Sequence, residues 1–298
     1  MKRVLIYVLA LVAYCGVANA QSIIDADDQR NPNDFYQKGI VVGKKAMPYP
    51  SIRENDVVWE AVIWREIDFN EKFNQFFYFP ISTDQNTQGR INLVNLIMRG
   101  VREGSIPTYE DDDMVRELDV AAAIKMLVGD PYTVEEDEVD ADGNPIYDEE
   151  TDEVKKKIVT RERPFDSTLV TKIQIKEKWY IDKQDTRQKV RIVGLRFQFP
   201  KETLGGGTSN EWSFCVPMND MRVRQLLVNA NAYDENNDVV ERSYDDIFIQ
   251  RYFDSYIVRE SNVYNRSLND YLTGEDAIVQ SQLIEEKIFD IESDMWEY

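Results

Sequence analysis

The sequence predicts an α+β protein that has a central antiparallel sheet flanked by helices, an extended N-terminal arm and an acidic hairpin insertion. Its 298 residues are 43% hydrophobic, and a single domain of this length buries about three quarters of its unfolded surface. In the second half of the chain apolar and polar residues alternate with a period of two, which indicates strands with one solvated face. Apolar residues spaced by three and four on both sides of that region indicate helices.

The first twenty residues have the pattern of a cleaved signal peptide. The basic pair Lys2–Arg3 precedes the apolar run Val4–Val12, and the small residues Ala18 and Ala20 mark a cleavage site. The apolar run is shorter than the roughly 20 residues that cross a bilayer. A lipoprotein signal ending at Cys15 is the alternative, but a bulky tyrosine precedes that cysteine. We therefore predict an exported mature chain.

Composition excludes several function classes. There is no histidine, which excludes nucleophiles activated by imidazole and metals bound by it. The formal charge of −20 repels nucleic-acid phosphates and anionic lipids. Removal of the signal peptide leaves Cys215 as the single thiol, so no internal disulfide can form. We expect Cys215 to be a small buried hydrophobe, and we predict no cofactor and no metal.

Residues 21–50 are predicted to form an extended arm. The proline-containing runs at 31–33 and 48–50 interrupt any helix or strand period. Alone, this segment buries too little apolar surface to offset the entropy of ordering it. We therefore expect another chain to order it, in the groove of a neighbouring copy. The candidate contact residues are Ile40, Val42, Met47 and Tyr49.

The arm is followed by a predicted helix. Ser51–Glu54 has the pattern of a capping box, whose side chains satisfy the first free amides of a helix. Further helices are predicted at 89–101 and 114–128. On the first helix, Val57 and Trp64 lie away from the main apolar stripe, so they either pack within the domain or contact a partner. The main stripe, expected to be core, consists of Trp59, Val62, Ile63 and Ile67.

An acidic insertion spans residues 130–163. Between residues 130 and 153 there are twelve acidic residues and no basic one, and Asp142–Gly143 is a hairpin-turn signal. This composition predicts a solvated, mobile hairpin. Calcium binding by Asp140, Asp142 and Asn144 is the alternative, but the glycine is misplaced and Thr151 stands where an EF-hand has glutamate.

Three strands are predicted after the insertion. Ile173–Ile181 and Val193–Phe199 alternate with polar residues, and a third strand is expected at Trp212–Val216. The glycines at 205–207 lack the Gly-Lys-Ser/Thr ending of a phosphate loop, which favours a flexible connection. Helices return after residue 219, and the last one carries an apolar seam of Ile284, Ile288, Ile291 and Met295.

A secreted hydrolase using paired carboxylates is the alternative from another function class. Asp245 and Asp246, near Arg251, are its first candidates. Adjacent residues on a helix point about 100° apart, so these carboxylates would not face one substrate. The structural interpretation is that one caps a helix and the other pairs with Arg251.

Short motifs in a fixed order along the chain resemble the GldN/PorN family. No single motif is specific, but their order from residue 48 to the C-terminus is. The motifs are Pro48–Trp59, Val62–Asp68, Phe77–Pro80, Ile175–Trp179, Arg191–Gly194, Asp245–Phe248, Glu260–Arg266 and Glu292–Trp296.

The resemblance implies a non-enzymatic structural subunit of the periplasmic ring of the type IX secretion system in Bacteroidota, which serves protein export and gliding motility. It implies assembly with neighbouring copies and with a GldK/PorK-type outer-membrane lipoprotein, which would hold the ring at the outer membrane. It also implies engagement by a GldM/PorM-type motor shaft, and it supplies no catalytic residues. The expected organisation is a signal peptide at 1–20, the arm at 21–50 and one domain at 51–298.

Overall fold

The computed structural model describes residues 44–81, 90–129, 132–137, 156–161, 165–185, 187–202, 208–234 and 241–294. Several predictions therefore concern residues outside the described part. They are the signal peptide, Ile40 and Val42 of the arm, the hairpin turn and calcium candidates at 140–144, the glycine loop and Met295.

Seven antiparallel strands form one sheet in the order β3-β2-β8-β7-β6-β1-β9, and β4 pairs with β5 separately. The strands are β1 (Val57–Asp68), β2 (Thr108–Tyr109), β3 (Glu117–Leu118), β4 (Tyr132–Asp137), β5 (Lys156–Arg161), β6 (Lys172–Asp182), β7 (Gln188–Glu202), β8 (Thr208–Pro217) and β9 (Tyr256–Glu260). The described helices are α1 (Gln75–Tyr78), α2 (Leu93–Arg102), α3 (Val120–Val128), α4 (Met221–Val228), α5 (Tyr244–Gln250) and α6 (Glu275–Asp294). The predicted α+β class is confirmed.

Two apolar clusters hold the helices against the sheet. The larger cluster joins apolar side chains of β6, β7 and β8 to helices α1 to α5. The smaller cluster lies under α6 and consists of Ile63, Ile257, Leu268, Ile284 and Ile288. The prediction that the seam of the last helix packs on its own domain is confirmed for Ile284 and Ile288, which are both buried.

The prediction of a helix after Ser51–Glu54 is wrong, because this segment forms the strand β1. Glu54–Asp56 makes a single 3-10 turn, and β1 then pairs with β6 along its length and with β9 from Ile63 to Glu66. Five successive residues of β1 are buried. The helix α6 covers one face of the strand and the β2–β3 loop covers the other, so its apolar residues do not alternate cleanly with polar ones. Their accidental three- and four-residue spacing therefore resembled a helical stripe. Valine, isoleucine and tryptophan favour a strand here.

The two tryptophans of β1 differ in burial. Trp59, expected in the core, is half-buried, whereas Trp64 is only 6% exposed. The Trp64 indole nitrogen donates to the Asp112 carboxylate at 2.6 Å, and the Arg259 guanidinium lies 3.6 Å from the centre of its ring. Trp64 is thus enclosed by its own chain and presents no surface to a partner. Val57, the other candidate from this segment, is half-buried.

A loop between β2 and β3 covers the second face of the sheet through Asp112. The Asp112 carboxylate also accepts a hydrogen bond from Arg259 at 2.5 Å, and its backbone carbonyl accepts one from Lys176 at 2.8 Å. Burial raises the pKa of Asp112, but the charges of Arg196 and Arg259 and the Trp64 bond outweigh burial and lower it. Because the folded pKa is depressed, Asp112 stabilises the fold at neutral pH. That contribution is lost as the pH falls through the folded pKa.

Cys215 lies beneath this loop and is buried, as expected. Burial raises the pKa of its thiol to about 12, so the sulfur stays protonated at neutral pH. Gly194 on the neighbouring strand leaves room for it, since a Cβ there would lie 2.9 Å from the sulfur and would also meet Met114. A side chain at Gly194 would therefore displace the Cys215 sulfur and the end of the Met114 side chain.

The remaining helices and strands match the predictions from the sequence to different degrees. The predicted helix at 89–101 corresponds to α2, and the three predicted strands after the insertion correspond to β6, β7 and β8. The helix predicted at 114–128 begins only at Val120, because Glu117–Leu118 pairs with β2. β4 and β5 form an antiparallel pair that flanks the predicted turn. In the described part of the chain, no helix has the length and apolar character needed to cross a bilayer.

Candidate protein-binding surface

The described end of the arm, residues 44–50, is fastened to its own domain. Gln225 on α4 donates to the Lys44 carbonyl at 2.8 Å and accepts from the Ala46 amide at 3.1 Å. Arg224 donates to the Met47 carbonyl, and Arg191 donates to the Pro50 carbonyl at 2.6 Å. The expectation that another chain orders the arm is therefore wrong for these residues. We call residues 44–50 the strap.

The two arm candidates within the strap have different exposures. The Tyr49 ring lies between two guanidinium groups, 4.2 Å from that of Arg224 and 5.1 Å from that of Arg191, and is half-buried. Met47 is 78% exposed. Of this pair, only Met47 offers most of its side chain to solvent.

The paired carboxylates of the hydrolase alternative are both engaged in the fold. Asp245 accepts two hydrogen bonds from Arg224, at 3.0 and 2.9 Å, and both side chains are buried. Asp246 accepts from the hydroxyl of Ser243, the N-cap residue of α5, at 2.6 Å. The expected pairing with Arg251 is wrong, because Arg251 donates to the buried carboxylate of Glu177 at 2.5 Å. Local spacing could not show these partners, since they lie on other elements.

An apolar groove of about 910 Å³ lies beside α1, and we call it the aromatic groove. Two rings at its mouth are exposed, Phe73 by 46% and Tyr252 by 40%, and their centres lie 4.8 Å apart. They rest on Phe76, whose ring centre is 4.4 Å from that of the fully buried Phe77. The other lining residues are Lys72, Gln75, Phe79, Pro80, Ile81, Ala232, Tyr233, Asp234, Arg242 and Ile247.

Two cations stand at the aromatic groove. The Arg242 guanidinium lies 4.0 Å from the centre of the Tyr252 ring, and Lys72 belongs to the same lining. Neither side chain forms a salt bridge with any residue in the described ranges. The aromatic groove can therefore bury apolar side chains while a carboxylate pairs with Lys72 or Arg242.

Of the partner-contact candidates that the structure describes, none lines the aromatic groove. Trp64 is buried elsewhere, and Val57 lines a separate cavity of about 500 Å³. The run of aromatic residues at 76–79 was a usable signal for one wall. Tyr233, Arg242 and Tyr252 come from distant segments, so no local pattern could reveal the other wall. Within the described ranges, no group of three or more acidic or cysteine side chains could hold a metal.

Comparison with known proteins gives one family. A family model described as gliding motility associated protein GldN matches residues 52–297. No curated protein matches the chain. The match includes β1, the whole sheet and the aromatic groove.

Proposed function

Because the chain belongs to the GldN family of gliding motility associated proteins, we propose that it is a non-enzymatic structural subunit of the periplasmic ring of the type IX secretion system. The family makes the chain a component of the gliding motility and type IX secretion machinery. In the proposal, residues 1–20 direct export and are removed. The mature protein then assembles with neighbouring copies, with a GldK/PorK-type lipoprotein at the outer membrane and with a GldM/PorM-type motor shaft.

The aromatic groove is the observation that supports a role in assembly. Grouped, exposed aromatic side chains beside an arginine are typical of the central part of protein interfaces. We propose that the lipoprotein supplies the occupant, an extended segment with apolar side chains and at least one carboxylate. The cations Lys72 and Arg242 favour that carboxylate on a chain whose net charge is otherwise strongly negative.

Replacing Phe73 and Tyr252 together by serine should weaken lipoprotein binding about 30-fold, because truncating a central aromatic anchor costs about 2 kcal/mol or more. Both rings are substantially exposed, so thermal unfolding of the monomer should change little. The measurement is a titration of the purified lipoprotein, together with its yield on co-purification from solubilised outer membranes. Val263→Ser, at a residue 97% exposed in the loop after β9, is the matched control. Wild-type affinity in the double variant would disprove the assignment of the aromatic groove.

The arm proposal now applies to residues 21–43, which include the candidates Ile40 and Val42. Deleting these residues should leave the thermal midpoint unchanged, because the strap and its bonds to Arg224 and Gln225 remain. Contacts between neighbouring copies should be lost, and ring yield in electron micrographs should fall. As a control, deletion of 21–50 also removes the strap and should lower the thermal midpoint. Rings at normal yield after the shorter deletion would show that the arm does not link copies.

A further inference from the structure

The outward side of α6 carries apolar side chains that no described element covers. Ile284 and Ile288 face the domain and are buried. Four other apolar residues of α6 are strongly exposed: Ile278 by 62%, Val279 by 47%, Leu283 by 50% and Phe289 by 69%. Large side chains exposed together on one helix commonly mark a contact with another protein.

The angular positions of these four residues around the helix axis show that they share one side of α6. At 100° per residue, Ile278 and Phe289 fall within about 20° of each other, and Val279 and Leu283 within about 40°. Their neighbours on this outward arc include the exposed carboxylates of Glu286 and Asp290. The helix has 20 residues and spans about 30 Å. Its outer side is therefore a long face with mixed apolar and acidic character, which we call the outer α6 face.

The charge of α6 restricts what can cover this face. The helix has seven acidic residues against the single cation Lys287, which pairs with Glu260 at 3.0 Å. Glu286 and Asp290 form no salt bridge with residues of the described part. A second copy presenting the same face would bring like charges together, and anionic lipid would be repelled in the same way. Charge complementarity therefore selects a basic partner.

We propose that the outer α6 face binds a basic amphipathic helix of another protein. A helix is the best-matched partner because ridges of side chains on one helix pack into the grooves of another over several turns. Its apolar side chains would cover Leu283 and Phe289, and its lysine or arginine side chains would pair with Glu286 and Asp290. This inference rests on the proposed function only in that a ring subunit needs a second docking surface besides the aromatic groove.

The test uses a synthetic probe with the mature full-length protein. The probe is a labelled 18-residue amphipathic peptide with leucine on one face and lysine and arginine on the other. A matched peptide with glutamate at the cationic positions serves as the comparison. Fluorescence anisotropy should show saturable binding of the basic peptide alone. Leu283→Ser with Phe289→Ser, and separately Glu286→Lys with Asp290→Lys, should each weaken binding at least tenfold.

Two control variants distinguish specific binding at the outer α6 face from a general attraction of the basic peptide to an acidic protein. Val115→Ser removes an apolar side chain that is 87% exposed in the β2–β3 loop, and it should not change binding. Glu54→Lys with Glu103→Lys makes the same change in net charge as the α6 charge variant, at exposed positions elsewhere. An equal loss of binding in that control and in the α6 charge variant would overturn the proposal.

Two further measurements test the α6 proposal, namely self-association of the protein and its binding to the lipoprotein. A concentration-dependent dimer of the wild-type protein, abolished by Leu283→Ser with Phe289→Ser, would assign the outer α6 face to a second copy and overturn the proposal. Every α6 variant should retain lipoprotein binding, which the aromatic groove is proposed to supply. If the wild-type protein fails to bind the lipoprotein but binds the peptide as described, the ring proposal fails and the α6 proposal stands.

Discussion

Replacing Asp245 by asparagine is expected to lower the free energy of unfolding by about 3 to 5 kcal/mol, the cost of breaking a buried ion pair by removing one partner. The change leaves the Arg224 guanidinium, whose side chain is only 2% exposed, without its carboxylate. Arg224 also binds the Met47 carbonyl and contacts the Tyr49 ring, so the strap should loosen as well. Urea unfolding followed by tryptophan fluorescence measures the first effect, and amide hydrogen exchange at residues 44–50 measures the second.

The neighbouring residue supplies the matched control. Asp246 is exposed in the first turn of α5 and accepts from the N-cap hydroxyl, a bond that asparagine can also accept, so Asp246→Asn should cost about 0.3 to 1 kcal/mol, the usual value of a carboxylate near a helix N-terminus. Replacing Arg224 and Asp245 together by leucine should cost clearly less than the sum of the two single changes, because the double variant leaves no unpaired charge. Equal losses for Asp245→Asn and Asp246→Asn would show that the ion pair does not stabilise the fold.

The second large effect is expected at Trp64. Trp64→Ala should lower the free energy of unfolding by about 3 to 5 kcal/mol, the usual cost of truncating a buried tryptophan. It removes the side chain that joins β1 to Asp112 and Arg259. Trp59→Ala, on the same strand but half-buried, should cost less than half as much. Chemical denaturation of both variants at neutral pH measures the difference, and a larger loss for Trp59→Ala would contradict the structure.

The fold class could be predicted from the sequence, but the strand β1 could not. β6 and β7 were predictable because Ile173–Ile181 and Val193–Phe199 alternate with polar residues over most of their length. β1 lost that signal because α6 covers one of its faces and the β2–β3 loop covers the other. Ser51–Glu54 added a misleading start signal, since a capping box on its own forms no helix when the following residues pair as a strand.

The candidate surfaces were less predictable than the fold. Aromatic residues at 76–79 marked one wall of the aromatic groove, but Tyr252 reaches the same place only through tertiary structure. Asp245 was recognised as a structural residue, yet its partner Arg224 could not be found because it lies 21 residues away on another helix. Sequence patterns show which residues are suited to a buried or exposed position. They do not show which distant residues meet there.

The position of β1 between β6 and β9 has a consequence for how the chain folds. The strand is made from residues 57–68, but its partners β6 and β9 come much later, and Arg65 bonds to Glu285 across 220 residues. Proteins dominated by such distant pairings fold in about milliseconds to seconds, because the chain must close large loops before these contacts form. An N-terminal fragment ending before β6 lacks both neighbours of β1 and cannot complete the sheet. For a chain with the export signal proposed for residues 1–20, this delay favours crossing the membrane unfolded and folding on the other side.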